Sequence, residues 1–424
     1  MGVEAIFVYK TILLMSQNKA LNITLTIIRV FVGVLFIFSG LIKANDPSGL
    51  AYKMGEFFEV WARDGYLPSL MHWLNTYAMA MSILMITFEI VAGVALIIGY
   101  RFRLFSFLIL LLTIFFTFLT AYAMYSGKIK ECGCFGDCIK LQANESFMKD
   151  LILLALVLIL VFYRKLIKQS FSATMATGMM VLTFVLSIIM QWYVLRNLPV
   201  KDCLPYKIGN NILQEMTPGP NYVPEEVKTV LVYKKDGVKK EFDLTNYPWQ
   251  DSTWTFDTTI NTIVKKAQNE PTIKDFSISN YNGEDITKTV LSYKGHVLLL
   301  FIKDVKTANT SNMDRLRLLI GACKKASVPF LVLSASNDIE SNKFKSTHQL
   351  DVEFCVIDQT VCKTAMRSSP GLMWLHQGVV KGKWSYANYP SFAQLNLDLK
   401  DNAVPLFPQE EVMPPVVTDT TMQQ

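Results

Sequence analysis

Charge is scarce in this sequence: only 18% of its 424 residues are Asp, Glu, Lys or Arg, against 51% hydrophobic. An apolar excess on that scale points to a membrane, and the length points to two or three domains. There is no basic stripe with interleaved aromatics, so nucleic-acid binding is without support. Histidine is nearly absent. His72, His296, His348 and His376 stand alone in the sequence and form no ligand pair. Residues 1–20 show neither a small-residue cleavage site nor a Ser or Thr at the myristoylation position. Met15, just ahead of the first apolar run, is an alternative start.

The charge is also divided unevenly. Residues 1–200 carry sixteen basic and ten acidic side chains, and residues 201–424 carry twenty-five of each. The basic surplus thus belongs to the apolar half and reflects membrane topology. Apolar segments run over Ile23–Ile42, about Tyr77–Gly99, Leu104–Tyr125, Phe147–Tyr163 and Ala173–Leu195. A bilayer core needs about 20 apolar residues, so five spans are expected, the fourth being short and opening on Lys149 and Asp150. Lys10, Lys19, Arg101, Arg103, Arg164, Lys165 and Lys168 cluster at one set of ends. With those ends cytoplasmic, residues 128–145 and everything after about 196 face outward. Asp46-Pro47-Ser48 reads as a helix start. Leu50, Met54, Phe57, Phe58 and Trp61 then recur at the spacing of an amphipathic surface helix. Two ionisable residues lie within spans, Arg29 and Glu89. Counted along antiparallel helices they sit about 12 and 18 Å deep, which predicts an intramembrane ion pair.

The densest chemistry is ECGCFGDC, Glu131 to Cys138, which holds three of the seven cysteines between two apolar segments. Gly133 and Gly136 allow sharp turning there. A bridge between Cys132 and Cys134 needs a turn at Gly133 and should be strained, hence readily reduced and suited to exchange. Cys138 is then a third thiol, able to attack or resolve. Two other readings stay open: a structural pairing with one cysteine idle, and three thiolates around a soft metal.

RVFVGVLFIFSGLIKANDPSGLAYKMGEFF, FEIVAGVALIIGYRFR, and CGCFGDCIKL followed by SFMKDLILLAL together resemble the DoxX/MauE family of small, four-helix, redox-associated membrane proteins. The resemblance covers about Thr24 to Leu166. MauE is associated with methylamine utilisation and DoxX with thiosulfate:quinone oxidoreduction. The resemblance implies a redox role for Cys132 and Cys134, leaves Cys138 outside the shared pattern, and implies quinone as a cofactor.

The outer half begins with linker composition over residues 197–226, rich in Pro, Gly and Asn. Cys203 lies there, within reach of the cysteine loop, and reads as incidental. Residues 227–269 form an extension whose first strands turn at Lys235-Asp236-Gly237, a hairpin signal, with Trp249 and Trp254 expected to pack beneath. Residues 270–402 alternate strand and helix: strands His296–Ile302, Phe330–Ser334 and Val352–Ile357, a helix over Met313–Ala326, and closing strands Leu372–His376 and Val379–Trp384 around Gln377-Gly378. This order resembles the thioredoxin-like superfamily, which implies a cis-proline at Pro370. The resemblance also implies a nucleophilic cysteine at the start of the first long helix, yet Asp304–Asn312 contains none. Cys355 and Cys362 read as inert packing, with a Cys355–Cys362 bridge as the other option, and Cys323 reads as core or semi-exposed with no partner in view. Residues 403–424 have tail composition.

The expectation is therefore a helical membrane bundle at 21–196, after an N-terminal segment at 1–20, carrying an α/β thioredoxin-like domain. The expected function is thiol–disulfide redox work at the outer face of a bacterial inner membrane. Cys132, Cys134 and Cys138 would be catalytic, quinone the acceptor and a periplasmic thiol/disulfide protein the partner. The alternatives are an assembly or maturation factor whose outer domain binds a partner, and a metal-binding loop.

Overall fold

The computed structural model describes residues 3–129, 133, 136–139, 141–265, 267–402 and 405–407. The membrane half is helical. Helix α1 (Val3–Asn45) leads into α2 (Pro47–Arg63), which starts where the sequence predicts. The Asp46 side chain accepts from Gly49 N at 3.0 Å, and Pro47 takes the first helical position, where its missing N–H is harmless. Then come α3 (Pro68–Thr76), α4 (Ala78–Ile98), α5 (Phe102–Ser126), α6 (Ala143–Phe162) and α7 (Ala173–Arg196).

Among the described residues, four helices are long and apolar enough to cross a membrane: Lys19–Asn45 of α1, then α4, α5 and α7. The fifth expected span, α6, carries Glu145, Lys149 and Asp150 in its first half and is not among them. It nevertheless packs in the same bundle, its Val157 and Leu160 buried with Val32, Leu96 and Ile109. Near its start Asp150 accepts from Thr120 of α5 at 3.1 Å. Just past its end, Lys168 O accepts from Arg29 of α1, and Ser170 N donates to Ile98 O of α4.

Helices α1 and α4 approach most closely at glycine. A Cβ built on Gly93 would fall 2.7 Å from Gly33 O, and one on Gly33 2.8 Å from Gly93 O. Small residues permit such backbone contact between membrane helices. Gly93→Val is expected to wedge them apart at a cost of about 1–3 kcal/mol. Thermal unfolding in detergent checks this, with Gly178→Ala in α7 as the control, because that position meets nothing within 4 Å.

Outside the bundle, α8 (Ile212–Glu215) precedes a three-stranded antiparallel sheet of β1 (Glu226–Lys235), β2 (Val238–Asp243) and β3 (Thr255–Lys265), in the order β2-β1-β3. Asp236 and Gly237, both at positive φ, make the predicted hairpin turn. Trp254 packs edge-on against Phe242 at 5.2 Å, whereas Trp249, expected to do the same, is 70% exposed.

The remaining residues form β4 (Ile278–Ser279), α9 (Thr287–Ser292), β5 (His296–Ile302), α10 (Met313–Lys325), β6 (Phe330–Ser334), α11 (Asp338–Thr347), β7 (Glu353–Ile357), α12 (Gln359–Ala365), β8 (Gly371–His376), β9 (Val379–Ser385) and α13 (Phe392–Leu395). The sheet order is β4-β7-β6-β5-β8-β9, with β5, β6 and β7 parallel and the outer strands antiparallel. All seven residues of β5 are buried, as expected of a strand covered on both faces. Leu298 and Leu300 meet Leu316 and Leu319 of α10, while Leu299 and Phe301 meet Val361 and Ala365 of α12. The stretch read as a linker joins that second core through Tyr206 and Ile212. Leu406, in the expected tail, is buried there too; residues 408–424 lie outside the described ones.

Candidate functional site

Cys132 and Cys134, with Lys130, Glu131 and Phe135, lie outside the described residues, whereas Gly133 and Gly136 to Ile139 are described. Gly133 and Gly136 both have positive φ, and Gly136 N donates to Gly133 O at 2.9 Å. Gly133 lies against α2, where an added Cβ would come 3.1 Å from Lys53 Cγ. Gly136–Cys138 form a single 3₁₀ turn. Cys138 is not a free third thiol: it is disulfide-bonded to Cys203, with Cα atoms 4.9 Å apart. Cys203, read as incidental, is thus its partner. The bond joins residues 65 apart in sequence, and only the fold brings them together.

The C-terminal α/β domain sits on this loop. Arg367, three residues before Pro370, reaches into the membrane half with a side chain 7% exposed. Its Nε donates to Asp46 Oδ2 at 2.8 Å and its Nη2 to Asp137 Oδ2 at 2.5 Å, while Nη1 donates to Lys363 O. One arginine therefore ties the cap of α2 to the residue before Cys138. Burial works against its charge, yet Asp46 and Asp137 outweigh that and raise its pKa. Asp46 is itself raised, chiefly by burial, with Arg367 pulling it back down. Lys303 Nζ donates to Tyr52 OH of α2 at 2.7 Å, and the same ring faces Lys363 and Arg367. Beside Cys203, Asp202 pairs with buried Lys383 of β9 at 2.6 Å, and Asn45 exchanges two hydrogen bonds with the Lys201 backbone.

The Ser369–Pro370 peptide is cis, where the sequence places it. Its neighbours are engaged within the domain: Ser369 Oγ accepts from Lys303 N and Ser369 O from Asn309 N. Cys323, Cys355 and Cys362 are free, fully buried thiols, each pushed up to about 12 by burial. Such thiols are inert packing. His296 and His376, distant in sequence, face each other across β5 and β8 and stack at 4.2 Å.

Two cavities lie in the bundle. One of about 230 Å³ is walled by Met54, Phe57, Phe58, Trp61, Phe116 and Leu119, and Gly133 forms part of its lining. The other, about 400 Å³, lies between α1, α5 and α6 and contains Glu89, Lys149 and Asp150. Lys43 lines both. The predicted Arg29–Glu89 pair is not the one formed. Glu89, 1% exposed, binds Lys43 Nζ at 2.6 and 2.9 Å. Lys43 sits in the last turn of α1, where the sequence shows an ordinary flanking lysine. Arg29 lies fourteen residues earlier on the same helix, about 21 Å away along its axis, and donates to Lys168 O at 3.3 Å. The depth count placed both residues in the bundle but did not weigh Lys43 as a competitor.

Residues 21–163 match the family described as methylamine utilisation protein MauE, so the bundle around the cysteine loop contains a MauE-family domain. Residues 227–266, the three-stranded sheet, match a domain of unknown function (DUF8463). No curated protein matches the chain.

Proposed function

We propose that this multi-pass membrane protein, built on a MauE-family domain, oxidises partner thiols at the outer face of a bacterial inner membrane. Cys132 and Cys134 form the exchanging pair. The observation that carries the reading is Gly133, the residue between them, lining an apolar cavity inside the bundle. In an oxidising compartment, a thiol pair whose intervening residue lines such a cavity can pass electrons to a lipid-soluble acceptor. The cavity suits a quinone: aromatic and aliphatic walls, with the Lys43 ammonium as the polar donor, held in place by Glu89. When bound, a quinone would accept the electron pair of the dithiol. Phe57, Phe58, Trp61 and Phe116 would hold its ring and keep water out, and Lys43 Nζ, fixed by Glu89, would orient it.

The outer domain is read as thioredoxin-like, on the support of its parallel β5–β6–β7 core, antiparallel β8 and cis-proline. Having no cysteine at the start of α10, it does not exchange thiols itself and instead covers the loop through Arg367. The level of Lys168 and Arg29 marks the cytoplasmic side, and α6 serves as the fifth span.

Membranes containing the protein should oxidise added dithiothreitol. Cys132→Ser and Cys134→Ser should each reduce this to the background rate, since an exchanging pair acts as a unit. Unchanged dithiothreitol oxidation in both variants, with reduced thermal stability, would make the loop a structural staple.

A further inference from the structure

We infer that the cavity of about 400 Å³ between α1, α5 and α6 binds an uncharged, hydroxyl-bearing amphiphile drawn from the bilayer. Its head would lie among Lys43, Glu89 and Asp150, and its chain along α1. The inference rests on α6 lying in the bilayer beside α1, as proposed above, and not on the redox reading. Its ground is the order of residues along the cavity wall. Phe31, Leu35, Ser39 and Lys43 recur at every fourth position and so form one stripe on α1. The stripe passes from apolar to charged over about 18 Å. Helix α6 presents the same order in reverse, Lys149 and Asp150 first, then Leu153 and Leu156. Its Val157 and Leu160 pack with Val32, so the two gradients run side by side.

The way in and the head chemistry follow from the same residues. Phe31 and Ile152 line the cavity yet are 52% and 61% exposed, and Phe31 lies midway along the span Lys19–Asn45. The cavity therefore opens sideways at the depth of the hydrocarbon, where a lipid-soluble molecule enters without crossing water. Its charged end is balanced: Lys43 pairs with Glu89 and Lys149 with Asp150, each at 2.6 Å. A charged head would find no counter-charge left among the described residues, beside carboxylates only 1% and 2% exposed. A hydroxyl meets a different situation. Glu89 accepts from Lys43 and Ser39, and Asp150 from Lys149 and Thr120. An ionised carboxylate offers about four acceptor sites, so both keep room for another donor.

Photolabelling of the full chain in lipid nanodiscs provides the test, with tetradecanol carrying a diazirine midway along its chain as the probe. The label should fall on Leu35, Leu153 or Leu156, and excess unlabelled tetradecanol should lower it several-fold. Tetradecanoic acid with the same diazirine, kept ionised at alkaline pH, should label these positions several-fold less. Leu35→Trp fills the cavity and should remove the label from Leu153 and Leu156. Should that variant fail to fold, competition in the native chain decides. Label spread evenly onto Val30 and Val34, which do not line the cavity, and unchanged by excess alcohol means partition into the bilayer only and overturns the site. Equal labelling by the acid overturns the ligand class. Thiol oxidation plays no part in the readout, so this site and the redox reading fail separately.

Discussion

Glu89→Leu should unfold most of the membrane half in detergent at temperatures the native protein withstands. The substitution leaves Lys43, 2% exposed, without its carboxylate. Removing one member of a buried pair costs about 3–5 kcal/mol, because the remaining charge is neither solvated nor compensated. The ring of Phe116, 4.9 Å from Lys43 Nζ, offers only a fraction of that. Lys43→Met combined with Glu89→Leu should recover most of the loss, since a well-packed apolar pair often replaces a buried ion pair at little cost. Dithiothreitol oxidation by this double variant separates stability from function. A stable fold with oxidation near background is expected if Lys43 orients the acceptor. Full activity would restrict the pair to a structural role.

Arg367→Met should release the C-terminal domain from the cysteine loop. It strands Asp46 and Asp137 at a junction where both carboxylates face the same guanidinium, again at a cost of about 3–5 kcal/mol. The pH dependence has a definite sign. Asp46 titrates above its ordinary 3.8, chiefly through burial and despite the pull of Arg367. A raised acid contributes stability that is present below about 3.8 and lost as pH rises through the folded value. Without Arg367 that value moves higher and the loss grows. The gap between variant and wild type should therefore be small near pH 4 and widen toward pH 7. Proteolysis within residues 197–226, measured at both pH values, reports the release. A gap that narrows with rising pH would show that the guanidinium does not hold these carboxylates.

Local signals in the sequence carried well. The Asp46-Pro47 start of α2, the Asp236-Gly237 turn, the strands β5 to β9 and Pro370 were all legible, because each depends on a few adjacent residues or on a run covered on both faces. Pairings across long separations were not. Nothing adjacent to Cys203 marks it as the partner of Cys138, and nothing distinguishes Lys43 from the other lysines that flank spans. Arg367 was passed over for the same reason: its carboxylates lie more than two hundred residues away. Tyr206 and Ile212 were concealed by their setting, since Pro, Gly and Asn around them gave the composition of a linker although the side chains complete a core.

The disulfide also bears on the order in which the protein is made. Cys138 and Cys203 bracket α6 and α7 completely. With the outward topology proposed above, Cys138 is exported once α5 has crossed, and Cys203 joins it only after α7 has done so. The bond therefore cannot close on a chain stalled midway through translocation. Its oxidation state, followed during synthesis, dates the moment at which the last helix enters the bilayer.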